Sequence, residues 1–292
     1  MDELVIILVR GVGVGAVFSL VAMSFNVVCN SSGILNFAQG NLLVMGGLCA
    51  YLLLPGDPEP IHWLVSLPLS ALLVAAFLAL QGWITLLPLR SSVEQHSWLI
   101  TTMAVSVMIG AVILVWQGPF ALNVRSPFPN FPLFGTRTPM SYLLAVACAV
   151  FWYVVLRWFH SRTQTGLAMS ALSQDLDAAR AAGIQVRRLQ ILSFAISGLI
   201  VGSSGFVAAP VIKISADSGI SYVLNGFIAA VVGGLGNNLG ALIGGPLVGV
   251  AAMFAAFRFG GQLQNAFSLA LLIAVLMLRP QGLFGRMAAR RV

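Results

Sequence analysis

Long apolar runs separated by short polar connections set the pattern of this chain. They lie near 4–28, 34–54, 62–88, 97–117, 140–159, 189–212, 219–235, 238–257 and 265–278. Within each run the apolar residues are continuous and do not alternate with period two, which selects helices over the strands of a membrane barrel. A helix needs about 20 mostly apolar residues to cross the hydrocarbon core, and only helices or closed barrels satisfy their own backbone there. The predicted fold class is therefore all-α, a polytopic transmembrane helical bundle of about eight to nine spans. The 219–235 run is short and interrupted by glycine, like a half-span. The chain reads as one transmembrane domain, 1–292, because its connections hold too little soluble mass for a second.

The polar positions inside these runs mark broken helices. In SSGILNFAQGNLLVMGG (31–47), Asn36, Gln39 and Asn41 stand among apolar residues. Amides facing lipid are costly, so these must face other helices or a wet path. The stretch 215–238 has a similar shape. At an offset of 186, Ser32, Gly33, Ile34, Gly40 and Gly47 fall on Ser218, Gly219, Ile220, Gly226 and Gly233, and Gln39 falls on Asn225. With odd and even spans running in opposite directions, this is a candidate inverted repeat, an arrangement whose helix breaks line a central path in transporters. Asn36, Gln39, Asn41 and Asn225 are the candidate path residues. Glycines four apart (Gly198 and Gly202, Gly236 and Gly240, Gly240 and Gly244, Gly245 and Gly249) predict close helix packing, more within the chain than between subunits.

Composition strengthens the membrane reading. Of 292 residues 59% are hydrophobic and 8% charged, with mean hydropathy +0.97, against about a quarter charged in a soluble domain. The net charge of +7 does not indicate nucleic acid, because the arginines cluster at span ends as juxtamembrane anchors do. With the N-terminus outside, Arg90, Arg157, Arg162, Arg180, Arg187, Arg188, Arg279, Arg286, Arg290 and Arg291 fall on the inner side. Arg125, Arg137, Lys213 and Arg258 fall outside. That bias predicts N-out and C-in, and it requires 219–235 to cross. The acidic start MDEL does not suit a signal peptide, so the first run is read as the first span. Cys29, Cys49 and Cys148 lie in apolar stretches without metal spacing, and His62, His96 and His160 form no cluster with them, so no metal site is expected.

An energy source is not visible in the spans. The phosphate-cradling loop G-x-x-x-x-G-K-[ST] needs a lysine after glycine, and the single lysine, Lys213, follows Pro-Val-Ile. No acidic residue lies inside a predicted span, and Arg10 is the clear in-span charge, so coupling to an ion gradient has little support. Coupling to a separate ATPase remains. The long inner connection, 161–188, offers the means: residues 173–183 (SQDLDAARAAG) predict a short helix with acidic residues near its start, Arg180 toward its end and Gly183 as its stop.

Here the chain resembles a known family. Asp177-Ala178-Ala179 followed by Gly183 is similar to the E-A-A-x-x-x-G core of the coupling loop in ABC importer permeases, although the usual downstream I-x-L-P is absent. SGILNFAQGNLLVMGG, QDLDAARAAGIQVRRLQILSFAISGLIVGSSGFVAAP and GFIAAVVGGLGNNLGALIGGPLVG resemble the branched-chain amino acid permeases, specifically the LivH-type half. The resemblance covers most of the chain in order. It implies a bacterial inner-membrane permease, not itself an enzyme, with no cofactor of its own. It implies as partners a second related permease subunit, two ATPase subunits carrying ATP and Mg, and an external solute-binding protein that delivers the substrate. By the same resemblance, Asp175, Asp177, Ala178, Ala179, Arg180 and Gly183 would dock into an ATPase, and Gln39 stands where many relatives carry His.

The leading function is thus an ATP-driven importer permease for branched-chain amino acids or a related small polar solute. A facilitative channel or secondary carrier for a small amide or amino acid is the alternative, and it requires flux from this chain alone. An intramembrane enzyme would need a convergent nucleophile, base or metal cluster, which the sequence does not offer.

Overall fold

The structure, a computed structural model, describes residues 2–86, 97–133 and 136–285. Arg90, His96, Arg286, Arg290, Arg291 and the last two residues of the predicted 62–88 span lie outside the described residues.

The described residues form eleven α-helices, nine on the predicted runs and two, α6 and α7, in the 161–188 connection: α1 (Asp2–Ser32), α2 (Gln39–Leu53), α3 (Pro60–Leu86), α4 (Ser97–Gln117), α5 (Met140–Arg162), α6 (Gln164–Gln174), α7 (Leu176–Ala181), α8 (Val186–Ala208), α9 (Ser218–Gly233), α10 (Asn238–Phe259) and α11 (Gln264–Leu278). A single 3-10 turn, Gly261–Leu263, leads into α11. Among the described residues seven helical segments are long and apolar enough to cross a membrane: α1, α3, α4, α5, α8, α10, and the turn joined to α11. The chain is a polytopic helical membrane bundle. Among the described residues the strands are β1 (Phe131–Leu133) and β2 (Thr136–Thr138), paired antiparallel in the connection between α4 and α5.

One predicted span is corrected, and another shifts in its bounds. The run 34–54 is not a full helix. α1 ends at Ser32, Gly33 turns left-handed at φ 68°, and the Asn36 side chain accepts the Ala38 N–H at 3.0 Å. That side-chain bond competes with a helical turn, so α2 starts only at Gln39. Its 15 residues rise about 22 Å, less than the ~30 Å hydrocarbon core. The run 189–212 does form a span-length helix of 23 residues, with its bounds shifted to Val186–Ala208. α8 ends at Ala208, and the connection to α9 is held by the Ser218 hydroxyl, which accepts from the Ser215 N–H and donates to the Ser215 carbonyl. Ser215 also donates to Asp217 at 2.6 Å, and that bond holds the Asp217 carboxyl below its ordinary value. α9 follows with 16 residues, as short as the sequence indicates. The two short helices begin 179 positions apart, not 186. The structural echo therefore pairs Gly40 with Gly219 and Gly47 with Gly226.

Contacts across the bundle define its two ends. At one, Asn30 Nδ2 donates to the Gly236 carbonyl and the Gly236 N–H to Asn26 Oδ1, while Gln190 reaches the Ser31 carbonyl. The end of α1, the start of α8 and the α9–α10 turn thus lie together. At the other, Leu122 pairs with Ile214, and Arg125 meets Asp57 at 2.9 Å. Tyr142 there lies against Gly13 of α1.

Glycine sets how closely the helices pack. A Cβ at Gly198 would stand 2.5 Å from the Ala75 Cα, and one at Gly46 would stand 2.6 Å from the Gly202 carbonyl, so α8 is wedged between α2 and α3. On the opposite side of α1, Gly11 and Gly15 meet Val250 and Pro246 of α10. The pairs Gly198 with Gly202 and Gly245 with Gly249 use the four-residue spacing within the chain as predicted, whereas Gly236 lies in the α9–α10 turn at φ 83° and shares no helix face with Gly240. The three cysteines are half-buried and free.

Candidate functional site

Two regions carry the residues that the sequence singles out. The first is the seam where the short helices meet. α2 and α9 touch at their first turns: a Cβ on Gly40 would overlap the Gly219 carbonyl, and a Cβ on Gly219 would overlap the Asn41 side chain. Only glycine at both positions allows this approach.

Around the seam each predicted amide bridges to a different helix. Gln39 accepts a short hydrogen bond from the Ser24 hydroxyl of α1 and donates to the Ser197 hydroxyl of α8 at 3.0 Å. Asn36 exchanges bonds with Gln81 of α3, the better one being Gln81 Nε2 to Asn36 Oδ1 at 3.1 Å. Asn41 Nδ2 donates to the Ser106 carbonyl of α4 at 2.6 Å and to its hydroxyl at 2.9 Å. The structure thus gathers Asn36, Gln39 and Asn41 at one seam, with no more than 3% of any of them exposed.

Asn225 belongs to a separate cluster. Its amide donates to the Ser221 carbonyl at 2.8 Å and to Asn265 Oδ1 of α11 at 3.0 Å, and Asn265 donates to the Ser221 hydroxyl. Two acceptors in these groups, Asn41 Oδ1 and Asn225 Oδ1, are buried and have no donor among the described residues. Amide partners at membrane depth are the cheapest way to bury an amide, and two such buried acceptors without donors are unusual.

Ser24, Gln81, Ser106, Ser197 and Asn265 are the partners that the sequence reading missed. Gln81 was findable, because it is the sole amide in the 27-residue apolar α3. The serines were not, because a hydroxyl in an apolar helix usually bonds its own backbone.

The second region is α6 with α7. The sequence predicts one helix over 173–183, whereas the structure breaks it at Asp175. Asp175 caps α7, its carboxylate accepting from the Asp177 and Ala178 N–H groups, both at 3.0 Å. An acidic cap with its own extended backbone cannot sit inside a helix. α7 ends in a Schellman motif: Ile184 N–H bonds the Ala179 carbonyl, Gly183 N–H bonds the Arg180 carbonyl, and Gly183 sits at φ 80°. Ala179 is buried in a small core of its own with Met169, Leu172, Val186 and Leu189. Asp177, Ala178, Arg180 and Gly183 face outward. The Asp177–Arg180 pair at 3.4 Å is exposed and contributes little. The result is a compact knob, capped at both ends, whose outer surface carries Asp177, Ala178, Arg180 and Gly183. Among the described residues no group of His, Cys, Asp and Glu could hold a metal ion.

Residues 7–276 match the family described as the branched-chain amino acid transport system permease component. The chain is 28% identical to the high-affinity branched-chain amino acid transport system permease protein BraD of Pseudomonas aeruginosa, over 98% of this chain and 97% of that one. It is 26% identical to the LivH permease of Escherichia coli K12, covering 97% and 96%. It is also 24% identical to the ribose import permease RbsC of Haemophilus influenzae over 80% and 79%.

Proposed function

This chain belongs to the branched-chain amino acid transport permease family, and from that membership we propose how it works: it moves a branched-chain amino acid across the bacterial inner membrane, driven through α6 and α7 by separate ATP-hydrolysing subunits. The observation that carries this reading is the knob around Asp175–Gly183. It is capped at both ends, packed on its own core, and presents Asp177, Ala178, Arg180 and Gly183 outward. A lever needs such capping and packing, because a frayed linker would absorb a partner's motion.

In this reading two ATPase subunits bring ATP and Mg, a second permease subunit completes the path, and an external protein delivers the solute. The knob lies on the cytoplasmic side, which places the N-terminus outside and the C-terminus inside. The seam at Gly40 and Gly219 is where the path opens. Rocking α8 against α2 would break the Gln39–Ser197 bond and free the Gln39 amide for a solute. Asn41 Oδ1 and Asn225 Oδ1, acceptors without donors, suit the ammonium group of an amino acid.

The test is uptake into proteoliposomes holding the full complex. Asp177→Lys combined with Gly183→Leu should abolish ATP-driven uptake while the protein still inserts and assembles. Uptake that persists in the double variant, or without ATPase subunits or ATP, overturns the coupling assignment. Flux from this subunit alone would instead support a facilitative carrier.

A further inference from the structure

At the end of the bundle that carries α6 and α7, the last turns of α5 and the α9–α10 turn border an open cavity of about 420 Å³. Its walls include Tyr153, Arg157, His160, Ser161, Asn238 and Leu239, and among the described residues no carboxylate lines it. Arg157 has no ion pair among the described residues; its one contact is a long bond to the Tyr153 hydroxyl, at 3.5 Å. His160 Nδ1 lies 2.8 Å from the Leu156 carbonyl. A carbonyl only accepts, so Nδ1 holds the proton and Nε2 stays uncommitted. Asn238 Oδ1 is buried and has no donor among the described residues. Among those residues the cavity therefore offers an unpaired cation and an acceptor without a donor.

Its surroundings indicate where a ligand would come from. Beyond the cavity toward the middle of the bundle, α5 exposes Val150 and Val154, and α10 exposes Leu239, Ile243 and Leu247, one turn apart. α1 packs against both helices, Gly13 on Tyr142 and Gly11 on Val250. Trp158, beside Arg157, is 60% exposed, as an aromatic at the headgroup level is. A polar cavity at headgroup depth thus continues into an apolar surface at acyl depth. A free phosphate would use only the first of these.

We propose that this cavity seats the headgroup of an anionic glycerophospholipid, phosphatidylglycerol in chemistry, with its phosphate on Arg157 and a glycerol hydroxyl on Asn238 Oδ1. Basic pockets between membrane helices bind lipid headgroups in this way. The site is separate from the seam and from the knob.

Native mass spectrometry of the delipidated full-length chain tests it, with phosphatidylglycerol, phosphatidylcholine and inorganic phosphate as the probes. Phosphatidylglycerol should bind more tightly than phosphatidylcholine, and Arg157→Gln should weaken it about fivefold. Arg157→Lys should keep most of the binding. Arg258→Gln, at the opposite end of α10, should leave it unchanged. If Arg157→Gln does not fold, Ser161→Asp at the rim should expel the same lipid by charge repulsion. Equal retention in wild type and the Arg157→Gln or Ser161→Asp variant overturns the site. An equal loss in Arg258→Gln reduces it to general surface charge, and displacement by inorganic phosphate alone overturns the lipid assignment.

Discussion

At single positions, this protein depends on what a methyl group or an amide would do at a helix contact. Gly40 is the clearest case, since its Cα faces the Gly219 carbonyl with no room for a side chain. Gly40→Val should cost about 3 kcal/mol or more, the upper range for overpacking. The expected readout is a lost or strongly lowered melting transition in detergent, and an unchanged transition would mean that the short helices do not meet there. Gln39 is a milder case. Gln39→Leu removes two interhelical bonds, to Ser24 and Ser197. Such bonds average about 0.6 kcal/mol each in membrane proteins, so a destabilisation of roughly 1–2 kcal/mol is expected in a chemical-denaturation series. These contacts were only partly legible in the sequence. The glycines and amides announced themselves by type, but their partners lie from 15 to 179 positions away, and no local pattern encodes such pairs.

Among the elements, α7 is decided by its two ends. Six residues are too few to hold a helix in isolation, so the Asp175 cap and the Gly183 stop carry a large share of its stability. Asp175→Ala should cost about 1 kcal/mol locally. Faster amide hydrogen exchange confined to 176–182 is the expected result, with α8 unaffected; unchanged exchange would show that its small core alone suffices. The sequence located this element within a few residues but joined it to the preceding turn. Alanine-rich segments favour helix throughout, and only the conformation at Asp175 reveals the break. The same limit applied to α2, whereas the shortness of α9 was legible in its glycine-interrupted run. Hydropathy marks apolar length, and the 34–54 run is apolar enough for a span. What shortens it is the Asn36 side chain bonding the Ala38 N–H, a choice between two local structures of similar energy.

For the whole molecule, the interlocking contacts fix two ends, and the orientation of those ends is a testable claim. Ser173→Cys, exposed beside α7, should react with a membrane-impermeant maleimide only in inside-out vesicles. Labelling from the outside would reverse the proposed topology and remove the knob from reach of any cytoplasmic ATPase. The sequence alone determined the membrane class, the number of apolar runs, the clustering of arginines at run ends, and the 161–188 stretch as an unusual connection. These follow from solvent physics acting residue by residue: lipid rejects charge, and helix length must match bilayer thickness. The tertiary structure decided where two runs stop being helical, which amides face one another, that Asn225 stands apart from Asn36, Gln39 and Asn41, and that a cation-lined cavity opens at one end. Each of these depends on helices distant in sequence approaching to within a hydrogen bond, and that proximity is a property of packing rather than of any single stretch of chain.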